Sequence, residues 1–392
     1  MPERYDVIVV GGGMLGLSTA YHLACRGGPR DLRVLLLQAG DLGGGTSAAC
    51  SGRAQVAEGH LDPLNIRLIR EGLARLETLE EELGMAFEWR RAGFLALIPV
   101  PGPGDPQPLW DEWMERARIL TGAGIPTQVL DRQALQDAEP HLNTEGFMGA
   151  GHAVEGLLNP FLFCWAYAQA ARRHGALLRP QTRVTAMRVA GRRVTAVEAG
   201  GEWLEADRIA VMCGAWTPRV ARMAGADVPI DHTHAEAFIT EPVALDLHNT
   251  IEMADFYERI HGRDQAVAVG FSPDPRGALI VTEAVARTDE LHRRSSSWGL
   301  SGMATELLQL YPALAGVRAV RGWAIPTAFT PDDEPVVGWL PERDNLFVAA
   351  AFMETITAIP VASEWMAGML LDESPPVDLS PFAPDRFLRN EE

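Results

Sequence analysis

Apart from Asp6, apolar and β-branched residues run through Tyr5–Val10 and stop at three consecutive glycines. Such a run predicts a strand buried on both faces, since from Val7 on both alternating sets of side chains are apolar. After the glycines, Met14 to about Cys25 is spaced as a helix, and "RVLLLQ" at 33–38 predicts a second short buried strand. Farther on, "RVTAMRVAGRRVTAVEAGGEWLEADRIAVMCGAW" predicts two alternating strands around an Ala190-Gly191-Arg192 turn. A buried strand at Arg208–Met212 follows, ending at Gly214. Late in the chain, "FVAAAFMETITAIP" at 347–360 predicts a short strand, a tight connection without glycine, and a helix. Thr357 is suited to cap that helix and Pro360 to its first turn, while Ile359, Ala362, Met366 and Met369 form an apolar stripe. Trp110, Trp113 and Met114 predict an amphipathic helix face behind the Pro/Gly-rich surface loop "PVPGPGDPQP".

The chain of 392 residues is too long for one compact core, so two domains are expected, one of them split by insertion. Hydrophobic residues make up 47% of it, yet no apolar run approaches the roughly 20 residues that cross a bilayer. "MPERYDVIVV" enters a strand directly, without the basic and long apolar parts of a leader, so a cytoplasmic protein is expected. A net charge of −18 disfavours nucleic acid and anionic lipid as partners. All 34 basic residues are arginine; there is no lysine. Cys25, Cys50, Cys164 and Cys213 lie far apart with no C-x-x-C, which points to buried thiols, not a zinc knuckle or a disulfide framework.

The glycine run carries the chemistry. Gly11-Gly12-Gly13-Met14-Leu15-Gly16 follows a strand and opens a helix, as a dinucleotide-binding turn does. In such a turn Gly11 permits the tight bend, Gly13 admits a pyrophosphate to the helix N-terminus, and Gly16 lets helix and strand pack closely. About 20 residues on, where an acid usually meets the ribose hydroxyls, Gln38 stands instead, able to accept a hydrogen bond but uncharged. NAD and FAD share this turn. The long loop of small and hydroxyl residues after Gln38, "AGDLGGGTSAACSGRAQVAEGHLDP", suits an isoalloxazine ring better than a sheet that binds NAD alone.

Four stretches together resemble one family over nearly the whole chain: "VIVVGGGMLGLSTAYHLA", "GTS…SGRAQV", "EGLLNPFLFCWAYAQAARRHGA" leading to "VMCGAW", and "FTPDDEPVVGW". The family is the FAD-dependent amine and amino-acid oxidoreductases of the D-amino-acid oxidase type. Within it the likeness is to glycine and sarcosine oxidases and to the flavin subunits of hydrogen cyanide synthase and opine or proline dehydrogenases. The resemblance implies an α/β fold: a Rossmann-like FAD-binding domain of the glutathione-reductase variant, with an inserted mixed-sheet substrate domain. The implied division gives 1–84, 142–226 and 321–392 to FAD binding, and 85–141 and 227–320 to the substrate domain.

By the same resemblance Gly11, Gly13, Met14 and Gly16 hold the pyrophosphate and Gln38 the ribose, with Thr46, Ser47 and Arg53 on the flavin side of the loop. Val184 meets adenine through its backbone, Gly214 and Trp216 close the tunnel, and Met353, Thr355 and Ile356 border the ring. The loop has no matched attachment motif, although Cys50 is near enough to leave covalent linkage open.

Two departures stand out. Glycine is missing from the 351–357 segment, so Phe352, Met353 and Glu354 occupy a rim that the family leaves open. Thr327 stands where the family often carries an arginine clamping a substrate carboxylate. Thr327, Met353 and Glu354 are therefore the substrate-side residues, with Glu354 the weak candidate for a catalytic role. Arg259, Arg263 and Arg276, in the implied substrate domain, are the arginines that could reach in and replace the clamp. His232, His234 and Glu236 imitate metal ligands, but flavin chemistry requires no metal and none is expected.

The implied reaction is oxidation of the C–N bond of a small amine or amino or imino acid by hydride transfer to flavin N5, with an acceptor that is a quinone, a dye or oxygen. Lacking lysine, the chain reads more as a dehydrogenase than as an oxidase. Partner subunits fit the resemblance. The alternative is an FAD-holding, non-catalytic subunit of a larger assembly.

Overall fold

The computed structural model describes residues 3–27, 32–100, 107–261, 264–288, 290–352 and 355–387. Strand Arg4–Val10 sends alternate side chains to opposite cores. Val7 and Val9 pack with Leu17, Leu73, Ala166 and Ile359 of helices Met14–Gly27, Pro63–Leu83, Pro160–Arg173 and Thr355–Met369. Ile8 and Val10 pack with strands Val184–Ala190 and Arg193–Ala199. This two-sided burial is why Val7–Val10 shows no alternation.

Around it, strands Leu346–Ala350, Glu202–Val211, Arg4–Val10, Val34–Leu37 and Leu177–Arg179 lie side by side, all parallel. Val336–Trp339 adds an antiparallel edge. The parallel strands end together at Gly11, Gly214 and Ala351, forming the crevice at the carboxyl ends where such sheets bind ligands. One element is longer than the sequence pattern predicts. The strand expected at 208–212 begins at Glu202; its first residues pair antiparallel with Arg193–Ala199, and the rest parallel with Arg4–Val10.

Among the described residues the other strands form one nine-stranded mixed sheet, whose single parallel pairing joins Asn249–Met253 to Arg90–Pro99. It includes Arg53–Ala54, Phe147–Leu157 and Ala319–Phe329, drawn wholly or partly from stretches that the sequence assigned to FAD binding. On helix Gln107–Gly122, Trp113 is buried against Phe94, and a Cβ on Gly151 would come within 2.0 Å of its indole. Met114 points outward, so the expected Trp110–Trp113–Met114 face narrows to the two tryptophans.

Local chemistry sets the helix starts. Asp62 and Asn159 each accept hydrogen bonds from two backbone N–H groups ahead of Pro63 and Pro160, which need none. Helix Thr355–Met369 differs from expectation. The Thr357 hydroxyl donates to the Gln55 carbonyl instead of capping, and Pro360 lies inside the helix, not in its first turn. The connection without glycine is made by Ala351, which adopts φ +62°, the left-handed conformation glycine would take freely.

Candidate active site

A cavity of about 910 Å³ runs from the carboxyl ends of the parallel strands to the face of the mixed sheet. That volume lies toward the upper end of the roughly 300–1,000 Å³ usual for cofactor and ligand sites. At its narrow-stranded end, Gly11 has φ +117°, and a Cβ there would sit 2.1 Å from the Met212 carbonyl oxygen. A Cβ on Gly16 would lie 2.0 Å from the Gly11 oxygen, so helix and strand touch as the pattern requires. Gly16 is off the cavity wall, whereas Gly11, Gly13 and Met14 are on it. A Cβ on Gly13 would meet only the Ser47 side chain, with the oxygen at 2.9 Å.

Two bonds tie this turn to its surroundings. Gly12 N–H donates to Gln38 Oε1 at 2.9 Å, and Met14 N–H donates to Ser47 Oγ at 2.9 Å. Gln38 thus spends its amide oxygen on the turn, and its Nε2 donates to the Asp41 carbonyl. The hydroxyl loop is pinned to the mixed sheet: Thr46 Oγ1 donates to the Pro326 carbonyl, and Trp323 Nε1 to that of Ala49. Val184, Gly214, Trp216, Thr355 and Ile356 line the same cavity. Met353 and Glu354 lie outside the described residues. Helix N-termini at Met14 and Thr355, a Cβ-free approach at Gly13 and a cavity of this size fit a dinucleotide whose anionic centre meets unpaired N–H groups. Cys50 is on the wall, but burial pushes its thiol up to about 11, which leaves it protonated and a poor nucleophile.

At the other end Arg53 is buried, against the ordinary fate of a loop cation. Its guanidinium binds Glu155 at 2.8 Å, Glu58 at 2.6 Å and Glu252, and stacks 4.4 Å over the Phe94 ring. Burial pushes Glu155 up to about 7 and Glu252 upward as well, with Arg53 opposing both. Arg53, Glu252, Glu236, Glu283 and Thr327 line the cavity. Arg259 pairs with Asp255, Arg276 is exposed beside Glu88, and neither lines it; Arg263 lies outside the described residues.

Glu236 accepts from the Ser296 N–H and hydroxyl, both at 2.7 Å, so it anchors the entry to helix Ser297–Leu310. The His234 ring lies 4.1 Å from that of His292, and burial lowers its pKa. Among the described residues no three His, Cys, Asp or Glu side chains are placed to hold a metal.

Glu58, Glu155, Glu252 and Glu283 were missed by sequence reasoning. A signal existed for three of them. "GHAVEGLL", "NTIEMADF" and "ALIVTEAVAR" each set a glutamate inside an apolar strand, where burial demands a partner or a ligand.

A parallel sheet with a glycine turn at its carboxyl edge, opening onto a cavity roofed by a mixed sheet, defines a dinucleotide-binding oxidoreductase. Residues 6–369 match the family described as FAD dependent oxidoreductase, so the chain belongs to that family and its cofactor is FAD. It is 26% identical to the 4-methylaminobutanoate oxidase (formaldehyde-forming) of Paenarthrobacter nicotinovorans over 99% of this chain, but spans only 46% of that protein. It is 24% identical to hydrogen cyanide synthase subunit HcnC of Pseudomonas aeruginosa, over 99% of this chain and 97% of that one. The L-proline dehydrogenase structure from P. horikoshii superposes with a TM-score of 0.86 at 21% identity, covering 100% of this chain and 99% of that one. No described helix is long and apolar enough to cross a membrane.

Proposed function

We propose that this protein oxidises the C–N bond of a small amine or amino or imino acid, as a dehydrogenase. The observation that carries the reading is the continuity of one cavity from the glycine turn to the carboxylates of the mixed sheet. Relatives named for nitrogen substrates, 4-methylaminobutanoate and glycine, support it. FAD, when bound, supplies the hydride acceptor. The residues that would hold it are Gly11, Gly13, Met14, Gln38, Ser47, Val184, Gly214, Trp216, Thr355 and Ile356. Thr46 and Trp323 fix the loop against the mixed sheet, which keeps the two ends of the cavity in register. Phe256, Ile260, Trp323, Ile325 and Phe352 make the inner walls apolar and exclude water.

We keep the division into a discontinuous FAD-binding unit and an inserted substrate unit. Strand membership supports assigning 147–157 and 319–329 to the substrate unit. A partner subunit is supported by the likeness to a protein named as a subunit. A cytoplasmic site is supported by the four cysteines, all free thiols.

An anaerobic screen of amines and amino acids against bleaching of the bound flavin tests the reading. At least one compound should bleach it. Failure of every class tried, with FAD fully bound, would favour the non-catalytic subunit.

A further inference from the structure

We propose that Glu283 binds a cationic nitrogen of the substrate standing apart from the C–N bond that reacts, so that the preferred substrate is a small amine with a second ammonium or a guanidinium. The proposal rests on the amine-oxidising reading and deepens it.

The backbone places Glu283 deliberately. Strand Leu279–Arg287 pairs with Asp231–Thr240 so that Ala284 faces Glu236 and Thr282 faces Ala237. Glu283 is left opposite no residue. On the other side Ala284 faces Val267 and Thr282 faces Gly270, so Glu283 lies across from the unpaired Ala268 and Val269. It is the extra residue of a bulge, the device by which a strand turns an additional side chain to one face. Thr282 and Glu283 both line the cavity.

No described residue neutralises this carboxylate. Among the described residues its side chain makes no hydrogen bond and no ion pair, and burial alone pushes it up to about 7. The nearby guanidinium is committed: Arg53 is held by Glu58, Glu155 and Glu252, a cluster already in excess of carboxylates. Arg293, which also lines the cavity, is exposed on the segment after the strand. The same cavity is lined by Ala235, Ala237, Phe256, Ile260 and Leu291, apolar surroundings in which a bare carboxylate is costly and a bound cation correspondingly favoured.

The test uses the FAD-loaded protein and two probes that are not oxidised, methylguanidinium and acetate, titrated while the bound-flavin absorbance is followed. Methylguanidinium should perturb the spectrum with a Kd at least tenfold below that of acetate. Glu283→Gln should weaken methylguanidinium at least tenfold with FAD content unchanged, and Glu283→Asp should weaken it less. Should the Gln variant not fold, the probe comparison and the Asp variant decide. Tighter acetate binding, no response to either probe, or unchanged cation binding in Glu283→Gln overturns the proposal. Flavin that no amine bleaches, in a protein that still binds methylguanidinium through Glu283, would sink the enzymatic reading and leave this site standing.

Discussion

The Met14 backbone N–H is capped by the Ser47 hydroxyl at 2.9 Å, and Gly13, one residue earlier, has room for nothing larger than hydrogen on that side. The two residues come from the first turn and the hydroxyl loop, so the helix N-terminus and the loop are locked together where an anion would approach. Gly13→Val would drive its side chain into Ser47, displace the cap and fill the approach. Its expected outcome is loss of FAD from the purified protein, read as the ratio of flavin to protein absorbance, with far-ultraviolet dichroism largely kept. Undiminished FAD would place the cofactor elsewhere.

The glycine turn was legible because strand, bend and helix lie within one short stretch, even though Gly11 answers to Met212 and Gly13 to Ser47. The acidic cluster was not, because Arg53 meets carboxylates that are 102 and 199 residues away in sequence. Periodicity reports which face a residue occupies, not what comes to meet it. The bulge at Glu283 was invisible for a related reason: it exists only in the register between strands.

Ala351 bears on the connection that lacks glycine. Its φ of +62° costs a residue with a Cβ roughly 1–2 kcal/mol. Part of that is returned when glycine replaces it, since glycine also loses more freedom on folding. Ala351→Gly should therefore stabilise the protein by about 0.5–1 kcal/mol, read from the denaturant midpoint, and Ala351→Val should destabilise it. Equal loss in both variants would show that the methyl is needed for packing beside Phe352.

His22 governs part of the acid limit. Burial first, then Arg75 and Arg26, bring its pKa down to about 3 against the Pro360 backbone, which favours the charged form. A base whose folded pKa lies below its unfolded value binds fewer protons when folded. Its contribution is thus complete above about pH 6.5 and is lost as pH falls toward 3. Between pH 6.5 and 5 the loss is about 2 kcal/mol. His22→Leu should flatten that limb of the stability profile, measured by denaturant unfolding at pH 7, 6 and 5. Glu155, raised to about 7, acts oppositely: its contribution is present below about pH 4.5 and fades as pH rises through 7. A variant whose slope from pH 7 to 5 matches the parent would show that His22 is not the group responsible.

Electron transfer to oxygen begins by making superoxide, and a cation held close stabilises that charge. The chain has no lysine to supply it. Of the arginines on the cavity wall, Arg53 is neutralised by three carboxylates, Arg183 and Arg219 lie on stretches that also carry Val184 and Gly214, and Arg293 is exposed. Glu283, on the same wall, supplies no cation either. The reduced protein should therefore pass electrons to a dye or quinone much faster than to oxygen. The measurement is flavin reoxidation after anaerobic reduction, followed in air-saturated buffer and with an artificial acceptor at matched concentration. A ratio of at least tenfold in favour of the dye is expected; peroxide production at the dye's rate would make the protein an oxidase.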